Sequence, residues 1–403
     1  MASATEWPAH RSETRPWRQA ARAGSRADRT LSEVVVSLPP LLAGLTWDAG
    51  VELQQELDAA RRAIIGLDAR HGNRLGALGR LLLRTEAVSS SRIERVDATL
   101  EDYARATVGS RANAGALSMV AATEALTTMV DRAGRSGTIE EEAVLAAHGT
   151  LLADDPMDGR YAGAYRTMQN WIGGSDYSPR DAIHVPPPPG TVPEYMTDLL
   201  AFANRDDVDP IVQAAIAHAQ FESVHPFTDG NGRIGRALIT AILRRRGLTT
   251  VVVVPIASAL AARRSRYFSL VNEYRQGSLA PFVQELATAG LVAAEEAGRT
   301  AEQIERLPDL WAREVAPRAA SSAALLLDAL LDDPVLTTAR ARAITGRAAS
   351  SVGSAVKQLV DAGVLLPLTE RTRDQAWVAT DVLLELSDLE ERIGAAIRLR
   401  SSP

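Results

Sequence analysis

His225-Pro226-Phe227-Thr228-Asp229-Gly230-Asn231-Gly232-Arg233-Ile234-Gly235-Arg236 is the stretch on which the reading of this 403-residue chain turns. An apolar helical run, Ile211 to Val224, ends at His225-Pro226, and a new helix through Ile234 to Leu243 begins near Asn231-Gly232. The loop therefore delivers two glycines and an asparagine to a helix N-terminus. Unsatisfied amides and the positive dipole end make that an anion site. Glycine lets the backbone approach phosphate closely. Arg233 and Arg236 stand three apart, on one face of the first turn, where both reach a bound polyphosphate. Asp229 alone repels phosphate, but with Mg²⁺ between them it becomes a metal ligand. His225 has an ordinary pKa near neutrality, which suits a general base. A base, a metal ligand and a phosphate cradle in one loop fit phosphoryl or nucleotidyl transfer, which depends mostly on positioning and charge stabilisation.

Composition bounds the rest. Apolar residues make up 46% of the chain but aromatics only 4%, so the core must be Ala, Leu, Val and Ile, a helix-favouring set. No cysteine is present, which excludes disulfides and thiolate metal sites. The net charge of −6 gives no global sign of nucleic-acid binding, and Lys357 is the single lysine. Residues 1–29 lack an apolar signal segment, and the longest apolar run, Val251 to Ala262, contains Pro255 and is too short for a membrane helix. The expectation is a cytoplasmic protein with no membrane contact.

Outward from the loop, the pattern predicts a flexible N-terminal arm over 1–33 and a short strand at Val34–Val36. Leu53, Leu57, Ala60 and Ile64 share a helix face, and further helices are expected at Ser89–Leu100, Ala114–Ala133 and Ile139–Leu152. Gly163 to Pro189 reads as a hairpin or extended flap. Helices resume over Val192–Asn204, Pro210–Val224, Asn231–Arg246 and Ile256–Tyr274, then Pro281–Ala316 with a break near Pro308. Three short helices and a hairpin with a basic turn at Arg371 and Arg373 close the chain, in the style of a winged helix-turn-helix.

With every specified residue in order, His225 to Arg236 resembles the signature of the Fic family. The resemblance implies a mainly α fold: an all-helical core with a short β-hairpin flap, plus the C-terminal winged helix-turn-helix. It divides the chain into the arm 1–33, a helical region 34–113, a core 114–295, a linker 296–320 and the winged helix 321–403. It implies transfer of AMP from ATP to a protein hydroxyl, with His225 as base and Asp229 holding Mg²⁺. Gly230, Asn231 and Gly232 would form the anion hole, Arg233 would meet the β-phosphate and Arg236 the γ-phosphate, with Ile234 and Gly235 completing the ATP-binding segment. Phe227 would pack inward. Tyr165-Arg166, Gln169 to Gly174 and Val185-Pro186-Pro187 resemble the family's flap, whose edge docks the target protein over residues 171–187. Tyr267-Phe268 resembles an aromatic pair lining the adenine pocket, and Arg275 stands where some members have Asn. Upstream, Ser90 and Glu94 match an inhibitory helix whose Glu would pair with Arg236, with Arg95 replacing the family's Gly or Asn.

Other readings stay open at this level. The same fold serves other nucleotide donors or AMP removal, and a nucleotide-sensing DNA regulator is the rival from a different class. Self-modification and a homodimer fit the family, and the winged helix takes either DNA or a protein partner. Glu94 has the bland alternative of pairing with Arg92 or Arg95. Tyr267 and Phe268 have that of core packing. His148 and His218 read as satisfied core or surface histidines, and His71 and His184 as loop residues.

Overall fold

The structure is a computed structural model that describes residues 6–19, 23–71, 76–109, 112–369 and 375–400. Strand β1 (Arg11–Pro16), helix α1 (Arg26–Thr30) and strand β2 (Glu33–Leu38) come first. Helices α2 (Gly50–His71), α3 (Gly76–Ile93), α4 (Leu100–Thr107), α5 (Ala114–Ser136) and α6 (Glu141–Leu152) follow. After an irregular stretch come α7 (Val192–Ala203), α8 (Pro210–Val224), α9 (Asn231–Arg245), α10 (Ile256–Ala262), α11 (Arg264–Arg275) and α12 (Ala280–Val315). The last part holds α13 (Ser322–Ala329), β3 (Val335–Thr337), α14 (Thr338–Thr345), α15 (Ala349–Asp361), β4 (Leu365–Pro367), β5 (Ala376–Ala379) and α16 (Thr380–Leu399). The fold is mainly α, as the composition predicts. Met1–Arg61, Glu124–Leu248 and Arg263–Thr288 form one unit; Arg62–Thr123, Thr249–Ala262 and Ala289–Pro403 form the other.

In the first unit every residue of α8 is buried. A helix buried on every side lies inside a core, and the polar Gln213, His218, Gln220, Glu222 and Ser223 are buried with it. Asp209 starts it, accepting from the amides of Ile211 and Val212, and Pro210 sits at the first position, where no amide is missed. The alanines of α8 let α7, α9 and α11 pack close around it. On α9, Gly235 marks the tightest approach: a Cβ there would lie 3.0 Å from His218 Nδ1 and 3.1 Å from Phe221. β1 and β2 pair antiparallel from Arg11↔Leu38 to Pro16↔Glu33. Val34 and Val36 of β2 pack with Val185, flanked by Trp17 and Trp171.

In the second unit, α3, α10 and α16 pack together. The Glu86 carboxylate accepts from the Ala257 amide at 2.7 Å, and Arg92 pairs with Glu390. Trp311 of α12 donates to Asp381 of α16 at 2.6 Å. β3, β5 and β4 form an antiparallel sheet in that order.

Several expectations change. The described part of the supposed loose arm carries a strand and a helix with a capping box from Ser25 to Asp28. β1 is wholly exposed, so no apolar alternation announces it; backbone pairing to β2 forms it. The helix expected over Ser89–Leu100 is broken, because Arg95 takes a left-handed φ of 61°. Ile256–Tyr274 is two helices, since Arg263 leaves helical geometry (φ −129°, ψ 42°) and pairs with Glu285 at 3.2 Å. By contrast α12 runs straight through Pro308. Its anchoring to α16 on both sides of that turn, by Arg392 to Glu296 at 3.2 Å and by Trp311, outweighs the missing hydrogen bond. β3 and α16 go beyond the three helices and hairpin read from the sequence, and Arg371 and Arg373 lie outside the described residues. His71 ends α2, buried and 3.3 Å from Glu305.

Candidate active site

The loop between α8 and α9 begins with a strained residue. His225 caps α8 in the left-handed region (φ 48°, ψ 61°), its amide bonded to Phe221 O at 2.8 Å. A non-glycine residue is held there only where its surroundings over-determine it. The chief constraint is Arg166, only 2% exposed. Its guanidinium donates to the carbonyls of His225 (2.8 Å), Pro187 (2.6 Å), Met168 (3.2 Å) and Val224 (3.3 Å), and its amide to Pro226 O at 2.9 Å. One side chain thus ties the flap to the base of the loop. Burial lowers its pKa to about 10, which leaves it charged at neutral pH.

The His225 ring keeps 18% of its surface open. Its pKa falls to about 3, first from burial, then from the charges of Arg275 and Arg166, with the Glu222 backbone pulling the other way. The imidazole is therefore neutral at physiological pH. Among the described residues its buried Nδ1 has no hydrogen-bond partner, and it lies 4.0 Å from the Glu222 carboxylate.

Phe227 is fully buried, and the loop folds around it. The Asn231 side chain accepts from the Phe227 amide and donates to its carbonyl, both at 2.9 Å, while Asn170 of the flap donates to the same carbonyl at 3.0 Å. Asn231 therefore commits its side-chain oxygen and one of its two Nδ2 hydrogens to bracing the loop. Gly230 caps α9 at φ 75° without a side-chain cap. A Cβ on it would lie 2.8 Å from Leu151. The first turn of α9 keeps its dipole end for an anion.

Arg233 and Arg236 are both buried, at 8% and 1%. Arg233 reaches the exposed Asp229 at 3.2 Å. Arg236 lies 3.4 Å from the Tyr267 hydroxyl and over its ring, and that hydroxyl is 2.8 Å from His218 Nε2. Tyr267 is fully buried, so it braces Arg236 and offers no open wall to adenine; Phe268, half-buried with Arg264 over its ring, keeps that possibility. Ile234 is buried and Gly235 faces α8, so these two pack and do not open toward a ligand. Gly232 stays half-exposed.

The flap is irregular, held by one bridge between Ile172 and His184. Gly173 and Gly174 both take φ 73°, a conformation that favours glycine. The N-terminal segment props it from behind: Trp17 meets Trp171 edge-on at 5.7 Å, and the Ser37 amide donates to Val185 O at 2.8 Å. Buried Asp28 accepts from Ser178 Oγ at 2.8 Å and Arg180 Nε at 3.2 Å. Between flap and loop runs an open groove of about 500 Å³, lined by Asp158, Tyr161, Gln169, Trp171 and Thr228 among others.

Within the second unit, Ser90 is buried on α3, and Glu94 follows that helix, half-buried, its amide bonded to Ser91 O at 3.0 Å. Arg92 is engaged with Glu390. Arg95 occupies the left-handed position that the resemblance assigns to Gly or Asn. Among the described residues, no group of three or more His, Asp or Glu side chains could hold a metal ion, and no helix is long and apolar enough to cross a membrane.

Residues 138–243 match the Fic/DOC family model. The chain carries a Fic/DOC domain. The match runs from Thr138 to Leu243, so it contains α6, the flap, α7, α8, the loop and most of α9. The "Protein adenylyltransferase fic-1" of Caenorhabditis elegans is 33% identical over 153 residues, covering 37% of this chain and 27% of the relative. The "Protein adenylyltransferase Fic" of Drosophila virilis is 31% identical over 148 residues, or 36% of this chain and 27% of the relative. The Fic-domain chain thus spans about a quarter of the length of these curated relatives. A crystal structure of a Fic family protein from Desulfovibrio desulfuricans G20 shares the fold, with a TM-score of 0.52 at 23% identity over 82% of this chain and 96% of that one.

No local pattern in the sequence marks Arg166 or His218 as functional; Arg166 stands only within the flap stretch. A buried arginine is visible only once its carbonyl partners are folded around it. His148 left a weaker signal: it is a lone polar ring on the otherwise apolar inner face of α6.

Proposed function

We propose that this chain is a protein adenylyltransferase, moving AMP from ATP to a Ser, Thr or Tyr hydroxyl of a target protein or of itself. The observation that carries the reading is His225, a neutral imidazole beside a helix N-terminus with two buried arginines on its first two turns. An acceptor hydroxyl docked beside His225 gives its proton to the imidazole as its oxygen attacks the α-phosphorus. The bond from that phosphorus to the α–β bridging oxygen breaks, and pyrophosphate leaves. The new imidazolium is stabilised by Glu222 at 4.0 Å. Arg233 and Arg236 bind the outer phosphates, and the amides of the first turn of α9 face the anion.

The residues fit Mg²⁺ in the usual way for nucleotide enzymes, one carboxylate plus substrate phosphates. Asp229 is that carboxylate: its side chain is 53% exposed, and it would turn from Arg233 to the metal. Bound there, Mg²⁺ would neutralise phosphate charge. The flap over residues 171–187 is the docking edge for the target.

Glu94 is the brake in this reading. Its support is local: it ends a helix in the expected place, and the next residue has the backbone shape that the motif requires. The order helix, strand, helix, helix, strand, strand over residues 322–379 supports a winged helix-turn-helix. Lys357 on α15 is paired with Asp361 at 2.6 Å, which favours a protein partner over DNA. Cytoplasmic placement and a homodimer belong to the same proposal.

The test uses purified wild type, His225→Ala and Glu94→Gly with Mg²⁺ and ATP radiolabelled at the α-phosphate. Label in wild type, more in Glu94→Gly and none in His225→Ala is expected. Equal label in wild type and Glu94→Gly removes the brake. No label with ATP in any variant, on itself or on lysate proteins, sends the reading to another donor, to AMP removal or to nucleotide sensing.

A further inference from the structure

His148 lies at the centre of the loop's inner surface, on α6, with no exposed area. The Gly163 amide donates to its Nδ1 at 3.0 Å, and an amide can only donate. Nδ1 is therefore the bare nitrogen of a neutral ring, and the proton sits on Nε2. Nε2 faces the Asp229 carbonyl at 3.2 Å, which can only accept. The two contacts leave one tautomer. The ring also stacks flat on Phe227, centroids 3.7 Å apart and planes 6° from parallel.

The consequence follows from peptide geometry. In a trans peptide the C=O and the following N–H point in opposite directions. With the Asp229 carbonyl drawn inward to His148, the Gly230 amide is turned outward, away from α6 and toward the open end of α9. The same peptide plane sets where the Asp229 side chain leaves the backbone. A side chain at Gly230 would lift the loop off Leu151, 2.8 Å away, and off this plane.

We propose that His148 is a positioning residue for the phosphate and metal side of the site, acting as a fixed hydrogen-bond donor that aims the Gly230 amide and the Asp229 carboxylate. This rests on the nucleotidyl-transfer reading, and it assigns a task to a ring that packing alone does not require. Phenylalanine would stack on Phe227 as well, but it has no donor.

The experiment compares His148→Phe, His148→Gln and His148→Asn in the full chain. Gln places a donor near the Nε2 position; Asn reaches only the Nδ1 position. Binding of a non-hydrolysable ATP analogue with Mg²⁺ is measured by calorimetry, alongside kcat and acceptor KM for transfer and the thermal midpoint. In Phe and Asn, analogue affinity and kcat should each fall about tenfold, a change of about 1.4 kcal/mol, with acceptor KM unchanged. Gln should recover most of both. Wild-type affinity in Asn or Phe overturns the proposal, as does a Gln variant no better than Asn. If Phe fails to fold, the Gln and Asn pair decides. Should wild type bind the analogue but transfer nothing, the transfer reading fails, and the binding series still tests His148.

Discussion

Lowering the pH from about 7.5 to about 5.5 is expected to destabilise the first unit by at least about 3 kcal/mol, the share of two histidines. His148 and His218 have no exposed area. Burial is the main cause of their depressed pKa values, about 4 for His148 and about 3 for His218, where Arg236 adds to the effect. In the unfolded chain each titrates near about 6.5. Folded values below the unfolded one mean that, in the window between, the unfolded chain takes up protons that the native chain refuses. Stability is therefore full above about pH 6.5 and falls as the pH drops, by about 1.4 kcal/mol per unit for each ring. His184, buried and bonded to Ser223 O at 2.8 Å, is shifted the same way. Carboxylates contribute little in this window, because their ordinary values lie near about 4. Urea denaturation followed by circular dichroism at the two pH values measures the difference. His218→Gln, although less stable, should lose one ring's share, about 1.4 kcal/mol over this window, while His148 and the other buried histidines keep theirs. An unfolding free energy that is equal or larger at the lower pH would refute the claim that these rings are held neutral by burial.

Three further outcomes follow from single contacts. Arg95→Gly removes a left-handed non-glycine residue and should stabilise the second unit by about 1 kcal/mol, read from a shift in the urea midpoint; a loss of stability would mean that the Arg95 side chain is a structural contact. Arg166→Ala leaves the carbonyls of His225 and Pro187 without their donor, so it should cost about 3 kcal/mol and lower kcat more than ATP-analogue affinity; unchanged transfer would show that the flap is not tied to the base through this residue. Gly235→Ala pushes a methyl into His218 and Phe221 and should cost about 1–3 kcal/mol; an unchanged thermal midpoint would show that α8 and α9 separate freely.

What could be read from the chain alone was whatever is local. The α8 helix is legible because it is rich in alanine and aliphatic residues and its cap, Asp209-Pro210, adjoins it. The loop from His225 to Arg236 is legible because its chemistry is packed into twelve neighbouring positions whose spacing puts them at one helix end. Tertiary structure decided what depends on distant partners. β1 exists through pairing with β2, and it has no buried face of its own to betray it. Pro308 stays inside α12 because α16 holds the helix on both sides, a stabilisation that local propensity does not contain. Tyr267 looks like an aromatic wall in sequence, but a phenol bonded to His218 and set under Arg236 is a support. Arg166 and His148 each act through backbone carbonyls far away in sequence, and every residue has a carbonyl, so no pattern of side chains marks them. The chemistry of the site is written in short-range sequence, whereas its orientation is set by buried hydrogen bonds that form only when the chain has folded.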